Sequence, residues 1–441
     1  MTHAPSENAL SADELQDVWP ILSRDERAEG FQLLPVDDAD EFFLGLSTRD
    51  QAELLMELAE PARRRWVRLL PPDDAADLVQ ELDADDRVHV IDFLDPVTRR
   101  EVSALLAYEE DEAGGLMSPR FARVRPEMTV DEAIAYLRRQ ARRRLETIYY
   151  VYVLDAEQRL RGVVSFRELF ASPGDRLIHE VMETDVVTVP EHMDQESVSL
   201  LLAESDLLAV PVVDAAGRLK GIVTVDDIVD VVQEEATEDI QKAGGMEALD
   251  APYLDVGIAT MVRKRGLWLV ILFIGEMLTA TAMAHFEDEI ARAVVLATFV
   301  PLLISSGGNS GSQASTLIIR AMALGEVRMR DWWRVVRREF FTGLALGLIL
   351  ATIGFVRIVV WQSVGGMYGP HYLRVAFAVS FSLVGIVLLG TLTGSALPLI
   401  LNRLGLDPAN SSAPFVATLV DVTGVILYFT TARMVLSGTL L

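Results

Sequence analysis

The chain of 441 residues contains no cysteine, which excludes disulfides and thiolate metal sites. Histidine is scarce, with six scattered copies, so any metal site here is built from oxygen and suits Mg2+, Ca2+ or Mn2+. Residues 263–441 are short of charge, holding 9 acids and 14 bases. That leaves 56 of the 65 acids and 25 of the 39 bases to residues 1–262, a balance of −31 before the boundary and +5 after it. A body so acidic repels phosphate backbones and attracts cations, so nucleic acid is not an expected partner. Neither a nucleophile with a paired base nor a phosphate-cradling loop is present, and no enzyme is expected. The start, MTHAPSENALSADELQD, has no signal-peptide core, which predicts that the first half stays in the cytosol.

What is present divides between water and lipid. Apolar runs lie at about 266–285, 291–323, 341–361, 373–401 and 412–440, each near the 20 or so helical residues that cross a bilayer. Arg263, Lys264 and Arg265 precede the first run, and Arg328, Arg330, Arg334, Arg337 and Arg338 fill the link between the second and third, whereas Glu287, Asp288 and Glu289 lie in the first-to-second link. The positive-inside rule then puts the N-terminal half in the cytosol and the C-terminus outside. Five spans cannot form two equal inverted halves, so a pore is expected to need a second subunit.

The last span carries Asp421 near its middle. A carboxylate there costs on the order of 2.5–3.5 kcal/mol by insertion scales, so it should face protein or water, as in a cation path or as a hydrogen-bonded structural acid. The second span contains a polar patch of small residues from Ser305 to Thr316, with Asn309 and Gln313 four residues apart. Such a patch suits close helix packing or a water-lined surface. Glu276 in the first span is a further intramembrane acid, without polar neighbours on its own helix.

Two internal repeats organise the acidic half. Leu33-Leu34-Pro35-Val36-Asp37-Asp38-Ala39 returns 36 residues later as Leu69-Leu70-Pro71-Pro72-Asp73-Asp74-Ala75, the pattern of stacked helical hairpins whose post-proline acids start helices. Tyr108 to Met117, YEEDEAGGLM, reads as a charged hinge. Residues 149–170 then match 208–229 at an offset of 59, each copy reading strand, Asp/Gly turn, strand, helix. This second repeat closely resembles a tandem pair of CBS domains. The likeness implies an adenine-nucleotide cleft between the copies, where Tyr150, Arg167 and Glu168 stand; the same residues also serve as ordinary strand and helix-start residues. After it, Asp226, Asp227, Asp230, Glu234, Glu235, Glu238 and Asp239 crowd into 14 positions. On a helix Asp227, Asp230, Glu234 and Glu238 share a face, which either attracts counter-ions or is simply solvated.

Taken in order, the acidic helices, YEEDEAGGLM, the two CBS copies, TVDDIVDVVQEEATEDI, GGNSGSQASTLIIRAMA and PFVATLVDVTGVILYF resemble the MgtE magnesium channels over nearly the whole chain. The implied fold is a multidomain α plus α/β membrane protein: an acidic α-helical superhelix over 1–117, CBS domains over 118–177 and 178–240, a connecting plug helix within 241–262, at about Gly244–Met261, and a five-helix pore domain over 263–441. The resemblance implies a homodimer in the cell membrane with Mg2+ held in the pore by Asp421. Asn309, Ser312, Gln313, Thr316, Ala417 and Thr418 would line that pore. Regulatory Mg2+ would bind at Glu41, Asp73, Asp77, Glu196, Ala203 through its carbonyl, Asp206, Asp227, Asp230, Glu235, Glu238 and Asp239, and ATP is a candidate ligand of the CBS pair, left open by the sequence. Departures from the family pattern are Ser312 and Ala413 where asparagines can stand, and Leu207 where an aromatic could stack on adenine. The expected function is a Mg2+-gated Mg2+ importer. The alternatives are a proton- or Na+-coupled divalent exchanger using Glu276 and Asp421, and a membrane-anchored CBS sensor that transports nothing.

Overall fold

A computed structural model describes residues 11–140, 145, 147 and 149–440. Most of the polar start lies outside the described residues. The chain divides into two compact units, Met1–Val232 and Gln233–Leu441, each taken by itself below.

The first unit begins with short helices whose starts are written into the sequence. Ser11 with Glu14, and Ser23 with Glu26, form reciprocal capping boxes, which satisfy backbone N–H groups that a helix leaves open. The 36-residue repeat becomes the helices Val36–Leu44 and Pro72–Gln80, capped at Pro35 and Pro71, with Asp37, Asp38, Asp73 and Asp74 in their first turns. Acids there complement the helix dipole. Trp19, Phe31, Phe42, Phe43 and Trp66 form the aromatic centre, with Phe31 and Trp66 centroids 4.9 Å apart.

The stretch from Tyr108 to Met117 is no free hinge. Ala113 N donates to Met193 O at 2.7 Å, Gly114 N to Glu191 O at 2.8 Å, and Gln195 N to Asp111 O at 2.8 Å. The Tyr108 hydroxyl closes the stitch on Glu191 at 2.7 Å. Its ring covers Gly114 so closely that a Cβ would fall against it. The sequence could not announce these bonds, because the partner segment, Glu191 to Gln195, lies some 80 residues onward.

The 59-residue repeat is realised as two three-stranded sheets of the same topology. β1 (Arg123–Val124) pairs parallel with β2 (Tyr150–Leu154), which pairs antiparallel with β3 (Leu160–Ser165). β4 (Val189–Pro190), β5 (Ala209–Val213) and β6 (Leu219–Thr224) repeat the order. Tyr150 opposes Ser165 as Ala209 opposes Thr224, and each hairpin carries an irregularity at the same place. In the turns Asp155 and Asp214 accept backbone N–H groups at 2.8–3.0 Å. Gln158 and Gly217, also 59 apart, both take positive φ. The turns then bond to each other, Leu160 N to Gly217 O at 3.0 Å and Leu219 N to Gln158 O at 3.1 Å.

The boundary between units falls inside the acidic helix, Val225–Ala243. The expected helix over Gly244–Met261 is not formed: the chain is irregular from Gly244 to Gly257 and helical again from Ile258. Two adjacent glycines, one of them Gly245 at φ +77°, and Pro252 resist helix continuation. Local bonds hold the irregular stretch instead. Gln241 accepts Leu249 N at 2.6 Å, and buried Lys264 reaches Ala248 O and, at 2.5 Å, Asp250.

Among the described residues, five helices long and apolar enough to cross a membrane complete the second unit, the first being Ile258–His285 and the second Val300–Ala323. The third to fifth are Trp332–Gly365, Tyr372–Arg403 and Ala413–Leu436. The fourth span is the hub, packed on the second, third and fifth. Glycine lets it approach. A Cβ at Gly390 or Gly394 would collide with the carbonyls of Gly307 or Gly311 on the second span, and one at Gly347 would lie 2.9 Å from Val384 Cα. The first span rests chiefly on the fifth, and only Lys264 of its residues is buried.

Candidate functional site

Ser412 caps the fifth span by accepting Phe415 N at 3.3 Å, and two turns further in the helix carries the half-buried Asp421. Gly308 of the second span faces it: a Cβ there would lie in ordinary contact with Asp421 Oδ1 at 3.9 Å and tightly against Ala417 Cβ at 3.3 Å. Gly275 of the first span meets Thr418, and its neighbour Glu276 comes within hydrogen-bond range of the Asp421 carboxyl. Glu276 therefore joins Asp421, although nothing polar on its own helix signalled this. The pairing lies between helices and has no sequence period.

The second-span patch splits into two faces. Gly307, Gly308, Ser310, Gly311, Ala314 and Ser315 are buried, whereas Ser305, Asn309, Gln313 and Thr316 form an exposed polar row. Among the expected lining residues, Thr418 turns its hydroxyl back to Pro414 O at 3.0 Å, and Thr316 does the same to Ser312 O at 3.0 Å. Ser312 donates to Ala413 O at 3.1 Å. The two positions that depart from the family pattern therefore touch. Beside them Ser315 bonds Ser411 O at 2.8 Å, tying the patch to the root of the fifth span.

Outside the membrane, the acids separate into groups. On the helix Pro72–Gln80, Asp77 is held well above the ordinary carboxyl range by burial, with Asp73, Asp74, Asp227 and Glu110 adding repulsion. Burial pushes Asp227 up to about 7, reinforced by Asp73 and Asp226 and opposed by the Thr224 hydroxyl, which donates at 2.6 Å. Burial and then Asp226 and Asp230 raise Asp74. These acids face one another closely enough to repel, yet among the described residues no three acidic or histidine side chains converge as a finished metal cage. Glu41 is exposed on Val36–Leu44. Glu196 opens the helix Gln195–Ser205, whose far end carries exposed Ala203 and the left-handed cap Asp206. About two helical turns, or roughly 10 Å, divide Glu196 from Ala203.

A second group lies wholly in the membrane unit. Lys242 pairs with Glu238 and, at 2.7 Å, with Asp407 in the link before the fifth span. Asp239 is raised by burial and then by Asp407. Glu235, one turn earlier, is half-buried. Nothing in the sequence singles out Lys242 and Asp407 as partners. Asp407 precedes Pro408 and looks like a helix-start cap, which it also is, accepting Ala409 N at 2.8 Å.

In the CBS pair, Glu168 is used as a cap, accepting Ser165 N at 3.1 Å and Ser165 Oγ at 2.9 Å. Arg167 is exposed beside it, and Tyr150 begins β2. Those positions fit the ordinary strand and helix-start roles as well as a ligand cleft.

Five spans with facing carboxylates inside them, joined to an acidic helical domain and a CBS pair, define a polytopic membrane protein of the cation-transport class. The MgtE divalent cation transporter family matches residues 300–431, the MgtE intracellular N domain matches 10–111, and CBS domains match 113–173 and 178–234. The magnesium transporter MgtE of Thermus thermophilus is 43% identical over 432 residues, spanning 97% of this chain and 94% of the relative. That of Enterococcus faecalis is 35% identical, spanning 76% and 71%. Among solved structures, the cytosolic domain of the Mg2+ channel MgtE in complex with ATP is 44% identical, with a TM-score of 0.47 over 50% of this chain and 90% of that one. The chain belongs to the MgtE family.

Proposed function

We propose that this chain is a Mg2+ channel that imports Mg2+ and is closed by Mg2+ in the cytosol. The observation that carries the pore is the meeting of Asp421, Glu276 and the Gly308 face at one depth of the bundle. Mg2+ dehydrates reluctantly, so carboxylates that hold its water shell bind it at lower cost than a dry cage would. The exposed polar row of Ser305, Asn309, Gln313 and Thr316 needs water or a second copy beside it, which supports a homodimer with Asp421 from each subunit at the axis. The arginine-rich link between the second and third spans supports a cytosolic N-terminal half and an external C-terminus. The domain divisions at 117, 177, 240 and 262 belong to the same reading, with an irregular connector in place of a plug helix.

The sensor is the set of facing acids. Without cations Asp73, Asp74, Asp77, Asp226, Asp227 and Asp230 repel, and Mg2+ between them favours the closed arrangement. A site that binds only the closed form, at about five times its dissociation constant, contributes about 1 kcal/mol. Five or six such sites approach the roughly 5.5 kcal/mol that moves an equilibrium from 1:99 to 99:1. Glu41, Glu196, Ala203, Asp206, Glu235, Glu238 and Asp239 supply the remaining ligands in this reading. ATP is the proposed ligand of the CBS pair at Tyr150, Arg167 and Glu168, with Leu207 giving the base no aromatic to stack on.

Current through the reconstituted full chain tests channel against exchanger. A channel reverses at the Mg2+ equilibrium potential and ignores a pH or Na+ gradient. Reversal that follows either gradient would overturn the proposal.

A further inference from the structure

The link between the second and third spans carries more than a topological signal. The third span begins at Trp332, after a single 3-10 turn, Met329–Asp331. Val335, Gly343, Gly347, Ala351 and Ile358 form its buried face, with Gly343 and Gly347 set against Leu388 and Val384 of the fourth span. Trp333, Arg334, Arg337, Arg338, Phe340 and Phe341 are all exposed. The platform beneath them is fixed, because Val327, Met329 and Trp332 pack on Ile318, Val335 and Leu399.

Helical order sorts the exposed residues by depth. Arg330 and Arg334, with side chains 77% and 84% exposed, stand at the head of the span. Trp333 is 73% exposed beside them, and Phe340 and Phe341 follow about two turns inward. Arg337 and Arg338 lie about one turn inward of Trp333 and reach the phosphate level along their stems, while Phe340 and Phe341 extend towards the acyl region. The guanidinium groups also run against the helix dipole, whose N-terminal end is positive and favours anions. Asp331 answers Arg334 at 2.7 Å and reaches Arg330 only at 4.0 Å. A topological signal needs positive charge in the link, but it needs neither an exposed tryptophan at this register nor a packed platform under it.

The geometry points to a binding surface for an anionic phospholipid, its phosphodiester headgroup held by Arg330, Arg334, Arg337 and Arg338 and its upper chains lying on Trp333, Phe340 and Phe341. Charge complementarity selects this occupant. Each arginine near an anionic bilayer surface favours it by about 1 kcal/mol, or about fivefold. The inference depends on the third helix being a span and is independent of the ion carried.

The test uses Trp333 as its own reporter. The full-length chain is placed in phosphatidylcholine vesicles doped with equal fractions of dibrominated phosphatidylglycerol or dibrominated phosphatidylcholine, and tryptophan quenching is compared. The expected result is stronger quenching by the brominated anionic lipid, with the excess lost in W333F and in R330Q/R334Q/R337Q/R338Q, and unaffected by millimolar inorganic phosphate. Equal quenching of the wild-type chain by the two lipids would overturn the proposal, as would an excess that survives in W333F or in the glutamine variant. Loss of the excess on adding phosphate would assign the surface to a free anion instead. W333F keeps every charge and so keeps the test valid if the glutamine variant fails to insert.

Discussion

Lys242 Nζ lies 2.7 Å from Asp407 Oδ2, and this contact fastens the end of the acidic helix to the link that begins the fifth span. Lys242 also pairs with Glu238, so one ammonium stands among Glu238, Asp239 and Asp407. Both partners are about one-third exposed or less, so the double-mutant cycle of Lys242→Met with Asp407→Asn should give a coupling of about 1 kcal/mol in thermal unfolding of the full chain. Lys242→Met alone should also make stability depend more steeply on Mg2+, because three acids then lack their fixed counter-charge. A coupling near zero would mean that the contact does not fasten the two elements.

The buried acids of the first unit make stability depend on pH and Mg2+ together. Asp227 rises from 3.8 to about 7 on folding. Below about pH 4 it is protonated in both states and the penalty is absent. Between about pH 4 and pH 7 the unfolded carboxyl ionises while burial, with Asp73 and Asp226, keeps the folded one protonated, so stability falls across that window and levels off above it. Mg2+ removes the repulsion. The rise in melting temperature on adding Mg2+ should therefore be larger near pH 8 than near pH 5, and a pH-independent rise would contradict the facing-acid sensor.

Helix approach in the bundle depends on particular glycines. Gly394→Ala places a methyl group against Gly311 O and should lower stability by about 1–3 kcal/mol. Gly266→Ala points into open space and should change it by less than about 0.5 kcal/mol. Thermal unfolding of both variants in detergent checks the contrast.

Glu276 beside Asp421 should strengthen ion binding in the pore. A unit charge within about 6 Å of a divalent ion in a water-like dielectric is worth about 1.4 kcal/mol. Glu276→Gln should then raise the Mg2+ concentration for half-maximal flux about tenfold while flux persists. An unchanged half-saturation would remove Glu276 from the path.

The elements were legible wherever a repeat or a period wrote them. The 36-residue and 59-residue offsets return as matched helices and matched hairpins, down to Gln158 and Gly217 at the same turn position. Asp421 stood out because a charge inside an apolar run is costly. What sequence could not supply is who meets whom across the fold. Glu276 with Asp421, Lys242 with Asp407, and the stitch of Ala113 and Gly114 onto Glu191 and Met193 all join residues with no shared period. The plug helix at about Gly244–Met261 was an implication of the family resemblance, and in this chain Gly244, Gly245 at φ +77° and Pro252 leave the stretch to Gly257 irregular.

The proposed Mg2+ path runs through Asp421 and is governed by Mg2+ on the cytosolic face. Mg2+ flux into liposomes carrying the full chain, with Asp421→Ala beside wild type and cytosolic-face Mg2+ set low or high, addresses both parts at once. Such a path gives flux in the wild type at low Mg2+, shut-off at high Mg2+, and little flux in Asp421→Ala under either condition. Flux that is unchanged by Asp421→Ala, or indifferent to cytosolic Mg2+, would contradict it.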